Sequence, residues 1–324
     1  MTAAPWMASL FSMGVTLLAM PGAIQLLRRL GAGKHIREEG PAHHASKAGT
    51  PTMGGAVPVV AAAAATLVWA PRLQVGLALA TMLLAFGLLG SLDDLRALRR
   101  RRAMGMRARE KFLGQAILAG VALAWLRAAG AQPSDWVVPF SAATWTPPAP
   151  AAAILSVLAV VGSANAVNLT DGLDGLAAGC MAVVSVAYSA IAWLVERPET
   201  AVFAAAVGGA CMGFIWYNGY PAQVFMGDTG SLALGAALAL FALTTGTLLL
   251  LPVVGGLFVL ETLSVMAQVA FFKLTGGRRL FRMSPLHHHL ELSGWPEPKV
   301  VTRLWLSAAA LAALGVLAVS GYGR

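Results

Sequence analysis

Ten apolar stretches, each close to the ~20 residues that a helix needs to cross a hydrocarbon core, leave this chain few ways to fold. They lie at about 6–27, 52–71, 73–92, 112–130, 149–166, 175–195, 200–218, 230–249, 251–272 and 304–322. With 58% hydrophobic and 11% charged residues among 324, too little polar surface exists to wrap a soluble core. The predicted fold is therefore all-α: one polytopic integral membrane domain over residues 1–324 with about ten transmembrane helices. The first stretch lacks a basic leading segment and runs into Arg28 and Arg29 instead of a small-residue cleavage site. It reads as a span and not as a signal peptide.

The net charge of +9 has to be read loop by loop. Arg28, Arg29, Lys34, Arg37 and Lys47 share a side with Arg96, Arg99 to Arg102, Arg107, Arg109 and Lys111, and with Lys273, Arg278, Arg279, Arg282, Lys299 and Arg303. The other side keeps Arg72, Arg127, Arg197 and Arg324. The positive-inside rule makes the basic loops cytoplasmic, near 29–51, 93–111, 167–175, 219–230 and 273–303, with both termini on the outer, periplasmic side. Topology and anionic membrane lipid explain these charges better than nucleic acid does. Cys180 and Cys211 fall inside spans, where a thiol is a small apolar side chain. The segment 132–150, with Trp136, Phe140 and Trp145, reads as an outer loop at the membrane interface.

Of six aspartates, only Asp135 lies on the outer side; Asp93, Asp94, Asp171, Asp174 and Asp228 all fall at cytoplasmic span ends or in cytoplasmic loops. Five carboxylates drawn to one face repel unless a cation sits among them, and an oxygen-only set suits Mg²⁺. Asn168, Asp171 and Asp174 share one stripe if the segment is helical; the same residues, with Gly172 and Gly175, also suit a capping turn. Adjacent residues on a helix point about 100° apart, so Asp93 and Asp94 are expected to differ in role. Asp228, between Gly227 and Thr229 before a span, is either a metal ligand beside a phosphate-binding helix start or a plain N-cap.

Lys47-Ala-Gly-Thr-Pro-Thr-Met-Gly-Gly55 lacks the order of a P-loop, so ATP is not implied. Lys47 and Lys111 are candidate diphosphate clamps, or positive-inside residues. Successive histidines diverge on any regular backbone, so His287, His288 and His289 do not form a three-histidine zinc site; hydrogen bonding or proton transfer near phosphate fits better. Glu261 lies deep in a span and reads first as a protonated or hydrogen-bonded group bending that helix.

Read in order, Lys47 to Gly55, Asp93-Asp94, Asn165-Ala-Val-Asn-Leu-Thr-Asp-Gly-Leu-Asp-Gly-Leu-Ala177, Pro221 to Gly235 and Phe281-Arg-Met-Ser-Pro-Leu-His-His-His-Leu-Glu291 resemble the signatures of the phospho-N-acetylmuramoyl-pentapeptide transferase family. That family belongs to the polyprenyl-phosphate N-acetylhexosamine-1-phosphate transferases. The resemblance implies a ten-span, largely homodimeric inner-membrane enzyme that joins UDP-MurNAc-pentapeptide to undecaprenyl phosphate, giving lipid I and UMP. It implies Mg²⁺ on Asp228, with Asp171 beside it, Asp93 acting on the acceptor phosphate, and Asp94 as its partner. Asn168, Asp171, Gly172 and Asp174 line the nucleotide and metal site on this reading, with Phe225 near the uracil. Lys47, Thr52, Lys111, His287, His288 and His289 hold phosphates or the sugar, and His287 joins the aspartates as a catalytic group.

Direct in-line attack by the lipid phosphate is the expected mechanism; a covalent phospho-aspartate at Asp93 or Asp94 is the alternative. A related UDP-GlcNAc transferase would share the aspartates and differ mainly in the histidine loop, which is intact here. A transporter, the other class, gathers polar groups near the bilayer midplane, where this chain has only Glu261.

Overall fold

In hydrocarbon every backbone N–H and C=O must bond within its own segment, so each long apolar stretch closes into a helix. The computed structural model describes residues 3–33, 47, 49–100 and 105–319. Lys34, Arg37, Ala48, Arg101, Arg102 and Arg324, used in the charge and motif readings, lie outside the described residues. In chain order the helices are α1 (Ala4–Arg29), α2 (Ala56–Trp69), α3 (Leu73–Arg100), α4 (Ala108–Ala128), α5 (Ala149–Thr170), α6 (Leu176–Leu194), α7 (Pro198–Asn218), α8 (Gly227–Thr245), α9 (Leu251–Val254), α10 (Gly256–Leu274), α11 (Leu286–Leu292) and α12 (Glu297–Val319). Proline stands in the first turn of α1, α5 and α7, where its missing N–H costs no helical bond.

Among the described residues nine helices are long and apolar enough to cross a membrane. The expected span at 52–71 is the one that differs: α2 has only 14 residues. The first residues of that stretch, with Met53 at φ +70° and a turn at Gly54 and Gly55, are tied to other loops. Thr52 N–H donates to Ala32, Phe225 N–H to Pro51, and Gly54 N–H to Phe225. The stretch at 251–272 is also divided, because the short α9 ends at Gly255, where α10 begins.

The 132–150 segment departs from a simple interfacial loop. It forms an antiparallel pair, β1 (Trp136–Val137) with β2 (Thr144–Trp145), in which Trp136 meets Trp145 edge to face at 5.6 Å. Trp136 is buried, while Trp145 and Phe140 stay exposed. The Val137 and Phe140 N–H groups donate to Gly246 and Ala318, which ties this hairpin to the ends of α8 and α12.

Helix α8 is the axis of the assembly, buried along nearly its whole length. Between apolar helices in lipid, association depends on close packing, and small residues let backbones approach. A Cβ on Gly90 of α3 would lie 2.0 Å from the Asp228 carbonyl oxygen, and one on Gly235 of α8 2.3 Å from that of Ser163 in α5. These contacts bring the ends of α3, α5 and α8 to one point. By contrast, α10 leaves Leu260, Leu263, Met266, Val269 and Phe272 exposed, as a lipid-facing helix does.

Replacing Gly90 by Ala should force α3 off α8 and lower stability by about 1–3 kcal/mol, read as a fall in Tm of the detergent-purified protein. Gly120→Ala on α4, where no atom lies within 4 Å of the added carbon, should leave Tm level or slightly raised.

Candidate active site

Helix α8 begins at Gly227, so the N–H groups of its first turn lack helical partners. Asp94, in the last turns of α3, supplies the acceptor. Its carboxylate takes the Asp228 N–H at 3.1 Å, the Thr229 N–H at 2.9 Å and the Thr229 hydroxyl at 2.7 Å. An anion at a helix start also interacts favourably with the aligned peptide dipoles. Asp94 is thus turned onto protein backbone and fixes where α8 starts.

Asp93 points another way, as the ~100° step along a helix requires. It accepts the Met106 N–H at 2.6 Å and lies 3.6 Å from Lys111 Nζ. The same ammonium donates to Asp228 Oδ2 at 2.5 Å, and Asn168 Nδ2 donates to Asp228 Oδ1 at 2.8 Å. Asp93 and Asp228 both face that one ammonium. Two facing carboxylates therefore share one lysine, leaving one negative charge in excess. Asp228 is the oxygen donor here that suits Mg²⁺, which takes one or two carboxylates and fills its other positions with water and phosphate. Among the described residues no three-residue His, Cys, Asp or Glu cluster is assembled for a metal, so a zinc-type cage is not offered.

The segment after Asn168 leaves the helix. Helix α5 ends at Thr170 and α6 opens from Gly175 at φ +76°, a conformation that suits glycine. The helical stripe through Asn168, Asp171 and Asp174 is thereby broken, and the turn alternative describes its second half. Asn168 faces Asp228 and Ser231, whereas Asp174 accepts the Ala222 N–H at 2.9 Å and Lys47 Nζ at 2.7 Å. Asp171 sits at the C-terminal cap of α5, between these two groups in sequence.

Lys47, read as a phosphate clamp, is held between two carboxylates: Asp174, and Glu297 at 2.6 Å. Burial by itself would lower its affinity for a proton, but the two acceptors outweigh that and its pKa is raised. Glu297 also accepts the Asp174 N–H at 2.8 Å, so the first residue of α12 holds the loop before α6. Thr52 is buried, with its hydroxyl beside Gly227. Phe225 is half-buried, its backbone bonded to Pro51 and Gly54.

The three histidines meet different partners, although the His287 and His288 rings pack edge to face at 4.2 Å. His287 is fully buried, with Nδ1 3.1 Å from Glu261 and its ring so close to Gly172 that a Cβ there would meet Nε2 at 2.2 Å. His288 Nδ1 lies 2.9 Å from Glu291. His289 accepts the Arg282 N–H at 3.2 Å and packs edge-on to Phe281 at 5.5 Å, within its own loop and outside the aspartate group.

Sequence reasoning gave no catalytic or binding role to Glu297 or Asn218. Asn218 takes the Gly175 N–H and donates to Val224, joining the ends of α7 and α6 to the loop before α8. Neutral or lone polar residues at helix ends carry no spacing pattern, so no sequence signal singles them out. Beside Lys111 an open cavity of about 480 Å³ is lined by Ala108, Arg109, Phe112, Gln115 and Asn165, presenting a cation and apolar walls together.

Glu297→Ala would strip Lys47 and the Asp174 N–H of a shared acceptor at once, so stability should fall by ~3 kcal/mol. Glu297→Gln, which can still accept the N–H, should lose less; thermal unfolding of the two purified variants gives the comparison.

The profile of Glycosyl transferase family 4 matches residues 76–246, which contain Asp93, Lys111, Asn168 and Asp228. The chain is 49% identical over 313 residues to a phospho-N-acetylmuramoyl-pentapeptide-transferase of Heliobacterium modesticaldum, covering 96% of each chain. It is 45% identical over 326 residues to the protein of that name from Desulforamulus reducens, covering 98% of this chain and 96% of the relative. With the Moorella thermoacetica protein of that name it shares 48% over 312 residues, covering 93% of this chain and 94% of the relative. Similarity of this extent runs through all the spans and the loops that carry the site, and the chain belongs to the phospho-N-acetylmuramoyl-pentapeptide-transferase family.

Proposed function

We infer that this membrane enzyme transfers phospho-N-acetylmuramoyl-pentapeptide from UDP-MurNAc-pentapeptide to undecaprenyl phosphate, releasing UMP and forming lipid I for peptidoglycan. The observation that carries the chemistry is the convergence of Asp93, Lys111, Asn168 and Asp228 beside a cavity with apolar walls. A lipid phosphate needs both features: apolar surface for its chain and a cation for its head.

The acceptor phosphate enters beside Lys111, whose ammonium offsets its charge and directs one oxygen toward the donor. That oxygen forms a bond to the β-phosphorus, the bond from this phosphorus to the bridging oxygen breaks, and UMP leaves with the electron pair. Asp93 keeps Lys111 oriented and accepts the acceptor's proton where one is present. Asp228 and Asp171 would hold Mg²⁺, which when bound offsets charge on the donor diphosphate. Asn168 orients Asp228, and Asp94 fixes the start of α8 on which Asp228 stands. Lys47 and Asp174 order the loop that receives the nucleotide, with Thr52, Gly172 and Phe225 around it, while His287 and His288 border the sugar phosphate and His289 holds their loop in place.

The concentration of basic residues in these loops supports a site facing the cytoplasm at the inner membrane, with both termini outward. The functional form is a homodimer.

UMP release by the purified protein should require both UDP-MurNAc-pentapeptide and undecaprenyl phosphate, and should stop with a chelator and return with Mg²⁺. Asp228→Asn should lower turnover by at least ~100-fold. Equal release from UDP-GlcNAc, or full activity in Asp228→Asn, would overturn this reading; UMP release without acceptor would favour the covalent alternative.

A further inference from the structure

Glu261 is fully buried within α10, yet it belongs to no part of the aspartate group. An ionisable side chain in an apolar helix is costly unless a partner meets it. The partner is on the histidine loop: Glu261 Oε2 lies 3.1 Å from His287 Nδ1 and accepts the His287 backbone N–H at 3.4 Å. Both side chains are excluded from solvent. Seven residues further along the same helix, Gln268 accepts the Leu280 and Phe281 N–H groups at 3.0 and 2.8 Å. Seven residues are about two helical turns, so both groups lie on one face of α10 and grip both ends of the segment 280–287.

The far side of the imidazole is as constrained as the near side. Neither ring nitrogen makes a hydrogen bond: Nδ1 faces Glu261 at 3.1 Å, and Nε2 abuts Gly172, in the loop between Asp171 and Asp174. The neighbouring His288 ring, 4.2 Å away, limits rotation. The 3.1 Å spacing of Glu261 and Nδ1 is within hydrogen-bond reach, and catalytic hydrogen bonds often align only in the ligand complex. A carboxylate on Nδ1 directs the other nitrogen and selects the ring's tautomer.

We propose that Glu261 is the positioning residue for His287, holding the imidazole from inside the membrane so that Nε2 is presented to the donor's sugar phosphate at the Gly172 loop. This rests on the reading of His287 as a substrate-contacting group. Glu261 itself touches no substrate; it fixes the ring that does.

The test is a double-mutant cycle with donor and acceptor varied separately. Glu261→Ala should lower kcat by ~10–100-fold with little change in donor KM, as His287→Ala should, and the double variant should be no worse than His287→Ala alone. Glu261→Gln, which keeps an acceptor oxygen, should recover to within ~5-fold of the parent enzyme. Additive losses in the double variant, or equal losses in Glu261→Gln and Glu261→Ala, would assign Glu261 to helix structure alone and overturn the proposal. Parent-level turnover in His287→Ala would instead overturn the reading of His287, and the two failures are told apart by that single variant.

Discussion

Three donors of one helical turn, the Asp228 and Thr229 N–H groups and the Thr229 hydroxyl, converge on the carboxylate of Asp94. In a protein whose helices are almost wholly apolar, this junction sets the register of α8 against α3. Without it, donors at a partly buried helix start would have no acceptor, at about 1–3 kcal/mol each. With it, Asp228 carries one of the capped N–H groups itself, and its side chain faces Lys111. The geometry of the aspartate group follows from a backbone interaction and not from attraction among the acids, which repel one another.

Close helix packing makes that junction reachable. Gly90 lies one turn before Asp94 on α3, and its missing side chain leaves room for the Asp228 carbonyl. Ser91 continues the contact through the Thr229 hydroxyl at 3.2 Å. The same logic recurs where Gly209 of α7 meets the Ser9 backbone of α1. Lipid offers apolar helices no hydrophobic reason to associate, so shape at small residues and a few polar junctions carry the specificity.

Two polar tethers extend the site beyond these helices. Glu297 at the head of α12 secures Lys47 and the Asp174 loop, and Glu261 within α10 secures His287. Each takes a loop carrying charged or ionisable residues and fixes it to a membrane helix. Glu261, read from sequence as a protonated or hydrogen-bonded group bending its span, accepts the backbone N–H of His287, a residue of the functional loop.

Hydropathy alone made most of the fold legible, because a helix is the one unclosed backbone that lipid tolerates. The exceptions were 251–272, divided at Gly255, and 52–71, whose first residues are spent on loop contacts with Ala32 and Phe225. The long motifs of Asp93, Asn168, Asp228 and His287 identified the family, since such runs of chemistry-bearing residues mark it without any geometry. Direction was not legible. Spacing could say that Asp93 and Asp94 differ, but only packing against α8 decided that Asp94 turns to backbone and Asp93 to Lys111. Likewise Asp174 and Asn168 parted because α5 ends at Thr170, and Lys47 met Glu297 across 250 residues of chain. The sequence by itself determined the helices and the family, because hydropathy and motif are local properties. Tertiary structure alone decided which carboxylate meets which cation, because those partners lie on different helices and only their packing brings them within hydrogen-bond reach.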